Sequence, residues 1–186
     1  MKRIVLFLVV LALLCGCQPV NNDLDRAMVL RTKLNQGAGC SFEADITADY
    51  GDKTYQFSLL CVADQKGNVT FEVLSPKTIA GIKGKIDNEG GKLTFDDVAL
   101  SFALQADGFL SPVSAPWILI RALTGGYVRH CGQEESLLRV TVDDSYQDDA
   151  FMLDIWLNDA NIPIRADIFE ANRRILALEI KNFKLL

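Results

Sequence analysis

The side chains best suited to chemistry in this sequence are Cys40, Cys61, Cys131, the lone His130, and the carboxylates of Asp143-Asp144-Ser145-Tyr146-Gln147-Asp148-Asp149. A single histidine excludes a His-rich metal site, and a Cys/His nucleophile would have to use His130. Cys131 adjoins it, but neighbours on a strand point to opposite faces, so His130 is expected at an ordinary loop or edge position. The carboxylate run offers oxygen ligands for calcium yet lacks the alternating spacing and central glycine of an EF-hand loop. Lying between two strand-like segments, it reads as a solvated hairpin tip. Adjacent carboxylates in such a turn are poorly preorganised for the acid and base roles of glycoside hydrolysis. Gly81, Gly84, Gly90 and Gly91 precede no Gly-Lys-Ser helix start and read as turns and bulges, not as a phosphate cradle. No catalytic residue, metal site or cofactor is expected.

A different chemistry, acylation of a thiol, is written at the start. Met1-Lys2-Arg3 is basic, Ile4 to Leu14 is an unbroken apolar run, and polar residues begin at Gln18. That is the layout of an export leader, and the run is shorter than the ~20 residues of a membrane-spanning helix. An ordinary signal peptidase wants small residues at −1 and −3, and Leu14 spoils −3. Leu14-Cys15-Gly16-Cys17 instead resembles the bacterial lipobox, whose cysteine receives diacylglycerol before cleavage. Residues 1–16 are therefore expected to be a signal peptide, Cys17 the lipidated residue, and 17–23 the tether of a single domain over 24–186. Two or more acyl chains turn marginal membrane binding into stable attachment. The expected address is the extracytoplasmic face of a cell membrane. In a two-membrane host it would be the outer one, because Gln18 stands where an aspartate would resemble an inner-membrane retention signal.

Removing the leader leaves 170 residues, 17 of them Lys or Arg and 24 Asp or Glu. One domain with a sizeable core fits that length. The negative balance argues against nucleic acid and against electrostatic recruitment to anionic lipid, so the anchor itself must supply membrane binding. Cys40, Cys61 and Cys131 remain in a compartment that permits disulfides. With Gly51-Asp52 as a hairpin turn, Cys40 lies near Cys61 on the neighbouring strand, and a Cys40–Cys61 disulfide is expected. The alternative is three buried thiols acting as small hydrophobes.

The elements follow from periodicity. Asn22 or Asp23 caps an amphipathic helix through Leu24, Met28, Leu30 and Leu34 that stops at Gly37. Period-two alternation then begins at Phe42, Ala44, Ile46 and Ala48 and resumes at Tyr55, Phe57 and Leu59. Turns at Gly67-Asn68, Asn88-Glu89-Gly90-Gly91 and Asp96-Asp97 space further strands. Pro112 to Leu123 is apolar nearly all round and ends before Gly125-Gly126, the mark of a short buried helix. A polar loop follows it, then strands at Leu137 to Val142, Phe151 to Leu157, Ile162 to Phe169 and Ile175 to Phe183. The sum is an α+β fold: a strongly curved antiparallel sheet forming an open, unclosed barrel with helices on its concave face, preferred over a β-sandwich because the Pro112 helix is too apolar for a solvent face.

Phe71-Glu72-Val73-Leu74-Ser75-Pro76 followed by Ile79-Ala80-Gly81-Ile82, the entry Leu110-Ser111-Pro112, and the closing Ile162-Pro163 and Asn182-Phe183 resemble the LolA/LolB-like lipoprotein-carrier fold. Within it they are similar to the lipid-anchored GerS-like branch of spore-forming bacteria. The resemblance spans about Leu24 to Leu186. It implies an unclosed barrel around helices, acting either as a docking surface for an envelope protein or as a holder of an acyl chain. A soluble carrier bears no lipid of its own, so Cys17 points away from shuttling and leaves a GerS-like partner-binding role or a LolB-like acceptor role. Phe57, Phe71, Phe102, Trp117, Ile118, Ile120 and Leu123 are the candidates for lining a lipid cavity; an ordinary core would use the same residues.

Overall fold

A computed structural model of the chain describes residues 22–95, 98–102, 105–106 and 109–186; Cys17 and the leader lie outside them. The chain opens with helix α1 (Asn22–Gln36), whose first turn carries Asp23 and Asp25 and whose last turn carries Lys33, charges that complement the helix dipole. Strands β1 (Gly39–Asp49), β2 (Thr54–Asp64), β3 (Val69–Ser75), β4 (Lys83–Asp87), β5 (Gly90–Phe95) and β6 (Val98–Phe102) follow, then a small hairpin of β7 (Gln105–Ala106) and β8 (Phe109–Leu110). A 3₁₀ turn at Pro112–Ser114 leads into α2 (Ala115–Gly125). Strands β9 (Tyr127–Glu134), β10 (Leu137–Asp143), β11 (Met152–Leu157), β12 (Pro163–Glu170) and β13 (Arg173–Leu185) complete the chain.

Eleven strands form one antiparallel sheet in the order β6-β5-β4-β3-β2-β1-β13-β12-β11-β10-β9. The edge strands β6 and β9 do not pair, so the barrel is open, as the sequence pattern predicts. The alternation has its expected effect in β1, where Phe42, Ala44, Ile46 and Ala48 are buried on the concave face. The closing strand β13 joins beside β1, with Ala44 opposite Ile180 and Ile46 opposite Leu178. Helix α2 lies against the concave face and in the core.

Because neighbours are antiparallel, turns gather at two ends. The upper rim holds the β1–β2, β10–β11 and β12–β13 turns; the lower rim holds the β2–β3, β9–β10 and β11–β12 turns. Helix α1 crosses the lower rim. Gln133 donates to Asp23 at 2.8 Å, Arg26 donates to Asn161 Oδ1 at 2.9 Å and to the Asn158 carbonyl at 3.1 Å, and Ala38 N–H reaches the Leu186 carbonyl at 3.1 Å. Ala27, Leu30 and Leu34 turn inward from it.

The stretch expected to be a polar loop after α2 is strand β9. It escapes the period-two signature because it is a sheet edge and mostly solvent-facing. The outer face of β10 to β13 carries a polar ladder. Arg139, Trp156, Arg165 and Glu179 form one register row, and Thr141, Asp154, Asp167 and Ala177 the next. Arg165 stacks on Trp156 at 4.4 Å, with Arg139 on the same ring at 5.8 Å. Arg139 then bonds diagonally to the buried Asp154 on β11, and Arg165 bonds along its own strand to the buried Asp167, each at 2.7 Å. Arg174 adds a third at 3.2 Å. Two carboxylates directly opposite each other repel, and these three cations offset that.

Cys40, Cys61 and Cys131 are all free thiols. The hairpin forms as expected, but its register sets Cys40 opposite Ala63 and Cys61 opposite Phe42, so the two thiols are diagonal neighbours on the concave face. Diagonal positions lie about 7–8 Å apart, beyond the usual disulfide span of ~4.4–6.8 Å between Cα atoms. Burial pushes the Cys40 thiol up to about 12 and raises Cys61 as well, the latter with a smaller push from Cys40. The thiolate is the reactive form. In the folded protein at pH 8, a maleimide reagent is therefore expected to label Cys131 and to spare Cys40 and Cys61, which react only after unfolding. A folded mass two hydrogens lower, with no further label on unfolding, would contradict this.

Candidate functional site

Helix α2 decides what the concave face can hold. Ala115, Trp117, Ile118, Leu119, Ile120, Ala122 and Leu123 are all buried along it. Burying Ile118, Leu119, Ile120 and Leu123 at roughly 1.5–3 kcal/mol each amounts to about 6–12 kcal/mol. These side chains belong to the one buried cluster shared with the strands, so α2 is part of the core. Between α1, α2 and β9 to β11 the cavity is only about 20 Å³, room for about one water and far short of the ~300 Å³ or more of a ligand pocket.

Space opens instead at the upper rim. A hollow of about 620 Å³ lies between the first turns of α2, the β10–β11 turn and the β12–β13 turn. Leu110, Trp117, Ile118 and Phe151 supply its apolar surface, and Arg121, Asp148, Asp149 and Glu170 its charges. A second hollow of about 420 Å³ shares Leu110 and is bordered by Tyr50, Tyr55 and Pro112.

The β10–β11 turn is pinned from inside. Asp144 N–H donates to the Phe151 carbonyl, and Asp144 Oδ1 accepts the Phe151 N–H, both at 2.9 Å. The other oxygen of Asp144 makes no hydrogen bond and lies 3.4 Å from Arg121 Nη1. Arg121 in turn stacks on Trp117 at 4.5 Å. Beside Asp144, Asp143 receives Arg129 Nε at 2.6 Å. The carboxylate run is thus split: Asp143 and Asp144 are buried at 8% and 5% exposure, and only its later members are solvated. The expectation of a wholly solvated tip fails because β10 extends to Asp143 and two arginines stand ready on β9 and α2.

The sequence-derived cavity residues scatter. Trp117 and Ile118 border the large hollow, Leu123 borders the 20 Å³ gap, and Ile120 is 1% exposed in the core. Phe71 is buried over Gly84, where an added Cβ would come within 2.3 Å of its ring. Phe57 is half-buried beside Tyr55, with ring centroids 6.5 Å apart. Phe102 is in β6, its side chain outside what is described. His130 is exposed on the edge strand, with the half-buried Cys131 next to it. Among the described residues no three His, Cys, Asp or Glu side chains group as metal ligands. Arg121, Phe151 and Glu170 are site residues that sequence reasoning missed. They come from three separate elements, and only the short spacing from Asp144 to Phe151 across one turn hinted at any of them.

No protein-family model and no curated protein matches this sequence. Among solved structures, the chain is similar to a LolA superfamily protein from Nitrosomonas europaea, at 9% identity and a TM-score of 0.48 over 86% of this chain and 93% of that one. It is similar to the lipoprotein LppX of Mycobacterium tuberculosis, at 9% identity and 0.41 over 87% and 93%. It is also similar to a chain of the complex of the CwlD amidase with the GerS lipoprotein from Clostridioides difficile, at 11% identity and 0.42 over 91% and 98%.

Burial is the largest influence on Asp144 and raises its pKa, with Asp143 and Asp149 adding to the rise and Arg121 and the Phe151 amide opposing it. Above the ordinary Asp range the folded state then holds more protons than the unfolded chain, so this group's contribution to stability falls as pH rises. Asp144→Asn keeps an oxygen for the Phe151 amide. It is expected to melt at a higher temperature than the parent at pH 7, with the gain disappearing as pH falls toward about 4. Thermal melts across that range check this; a variant less stable at pH 7 would contradict it.

Proposed function

We propose that this chain is an extracytoplasmic lipoprotein, attached to its membrane through Cys17, whose domain is a non-catalytic binding module for a protein partner at the cell envelope. The observation that carries this reading is that α2 occupies the concave face as core. What remains for recognition is outer surface: the upper rim, the convex face of the sheet and its edges. The leader and the Cys17 lipobox support the address, and residues 17–23 act as the tether. The GerS-like resemblance of the sequence supports a protein partner.

The second reading is LolB-like acceptance of an acyl chain, and the apolar wall of the 620 Å³ hollow favours it. Against it stand Asp148, Asp149 and Glu170 in the same lining, carboxylates that an acyl chain leaves without a partner. Native mass spectrometry of the full chain, extracted from its own membrane in mild detergent, separates the two. The expected spectrum shows the Cys17-linked lipid and no second lipid. A stoichiometric non-covalent lipid that survives detergent exchange would overturn the protein-partner reading in favour of acyl-chain binding.

A further inference from the structure

The charges in the large hollow are unequal in standing. Arg121, the one cation among its described lining residues, is already engaged by Asp144 and by the Trp117 ring. Among the described residues, Asp148, Asp149 and Glu170 have no ion pair. Arg173, which follows Glu170 across the β12–β13 turn, is turned away to Asp49 at 3.1–3.4 Å. The hollow therefore presents three uncompensated carboxylates above an apolar floor. The carboxylate turn also carries Tyr146, 75% exposed, in edge-to-face contact with Tyr127, 51% exposed, at 5.8 Å. Exposed tyrosines with an acid-rimmed apolar hollow beside them match the make-up of a protein-recognition centre, where aromatic anchors and complementary charge dominate.

Orientation narrows the occupant. The tether enters α1 at the lower rim, where Asp23 meets Gln133. The hollow is at the other end of β10 to β13; even the six-residue β11 spans about 20 Å at ~3.3 Å per residue. Five residues from Cys17 to Asn21 reach at most ~18 Å, so a domain held by them has its lower rim toward its own membrane and the hollow facing away. Lipid in that membrane does not meet it.

We propose that the upper-rim hollow is the docking site for a basic, amphipathic segment of the envelope partner. A Lys or Arg stem from that segment would lie along Trp117 and Phe151, its charge would meet Asp148, Asp149 and Glu170, and Tyr146 and Tyr127 would contact the flanking residues. This rests on the protein-partner reading and adds where the partner sits and what chemistry it brings.

The test uses the full lipidated chain in phosphatidylcholine nanodiscs and a fluorescein-labelled peptide of alternating Gly, Lys and Leu, with empty nanodiscs as the blank. Fluorescence anisotropy is expected to show saturable binding that weakens with salt. The double variant Asp148→Lys/Asp149→Lys should weaken it by about tenfold or more, and Glu170→Lys should act in the same direction. Glu43→Lys and Glu72→Lys, elsewhere on the sheet, should leave it unchanged. All these side chains are at or near the surface, and thermal melts confirm that the variants fold. A peptide with Glu in place of Lys should not bind. Equal binding by the rim variants, binding of the acidic peptide, or no binding of the basic one would each overturn the proposal. None of these would bear on the protein-partner reading, which the search for a retained second lipid tests separately.

Discussion

Ile118, Leu119 and Ile120 stand in a row on α2, each no more than 1% exposed. Consecutive helix positions point about 100° apart, so three such neighbours leave little of that turn free for water. The helix must be enclosed, and a flat sheet encloses only one side. The curvature of the eleven strands, the closure of β13 onto β1 and the placement of α1 across the lower rim all answer that demand. Arg31 on α1 secures the arrangement by donating to the carbonyls of Ala122, Leu123 and Gly126 at 2.8–3.1 Å, at the C-terminal end of α2, where carbonyls run short of intrahelical partners. With α2 packed there, the larger hollows among the described residues lie at the upper rim and outer surface.

The charged residues divide along the same line. Asp143, Asp144, Asp154 and Asp167 are buried, and each has an arginine within 3.4 Å. Such pairs are costly to desolvate, and here they close the outer face over Trp156 and anchor the β10–β11 turn. Asp148 and Asp149, a few residues on, have no such partners among the described residues. Within one seven-residue run, then, the first two carboxylates serve the fold and the last two are left for an external cation.

Much of the fold is legible in the sequence because alternation is enforced wherever one face is buried. β1 and β2 follow from Phe42 to Ala48 and from Tyr55 to Leu59, with the turn at Gly51-Asp52 where it was expected. The buried helix follows from its all-round apolarity. Strand β9 is not legible, since an edge strand over a rim carries Arg129, His130, Gln133 and Glu134 and imposes no period. Nor is the thiol geometry: facing strands are readable from the turn, but a two-residue offset in register is enough to turn opposite cysteines into diagonal ones. The hollow was the least legible part. Trp117 and Ile118 are among its sequence-derived candidates, but Phe151 and Glu170 reach it only because the β10–β11 and β12–β13 turns converge beside α2 at one rim.

The claim on which the account turns is that α2 is core, and native-state hydrogen exchange of the full chain tests it most directly. If α2 is core, the amides of Leu119 to Leu123 exchange only through global unfolding, with the same free energy and denaturant dependence as the central strands β1 and β13. If they exchange through a smaller, denaturant-independent opening while β1 and β13 stay protected, α2 is a movable plug over a concealed cavity, and the reading of a filled barrel with an external docking rim is wrong.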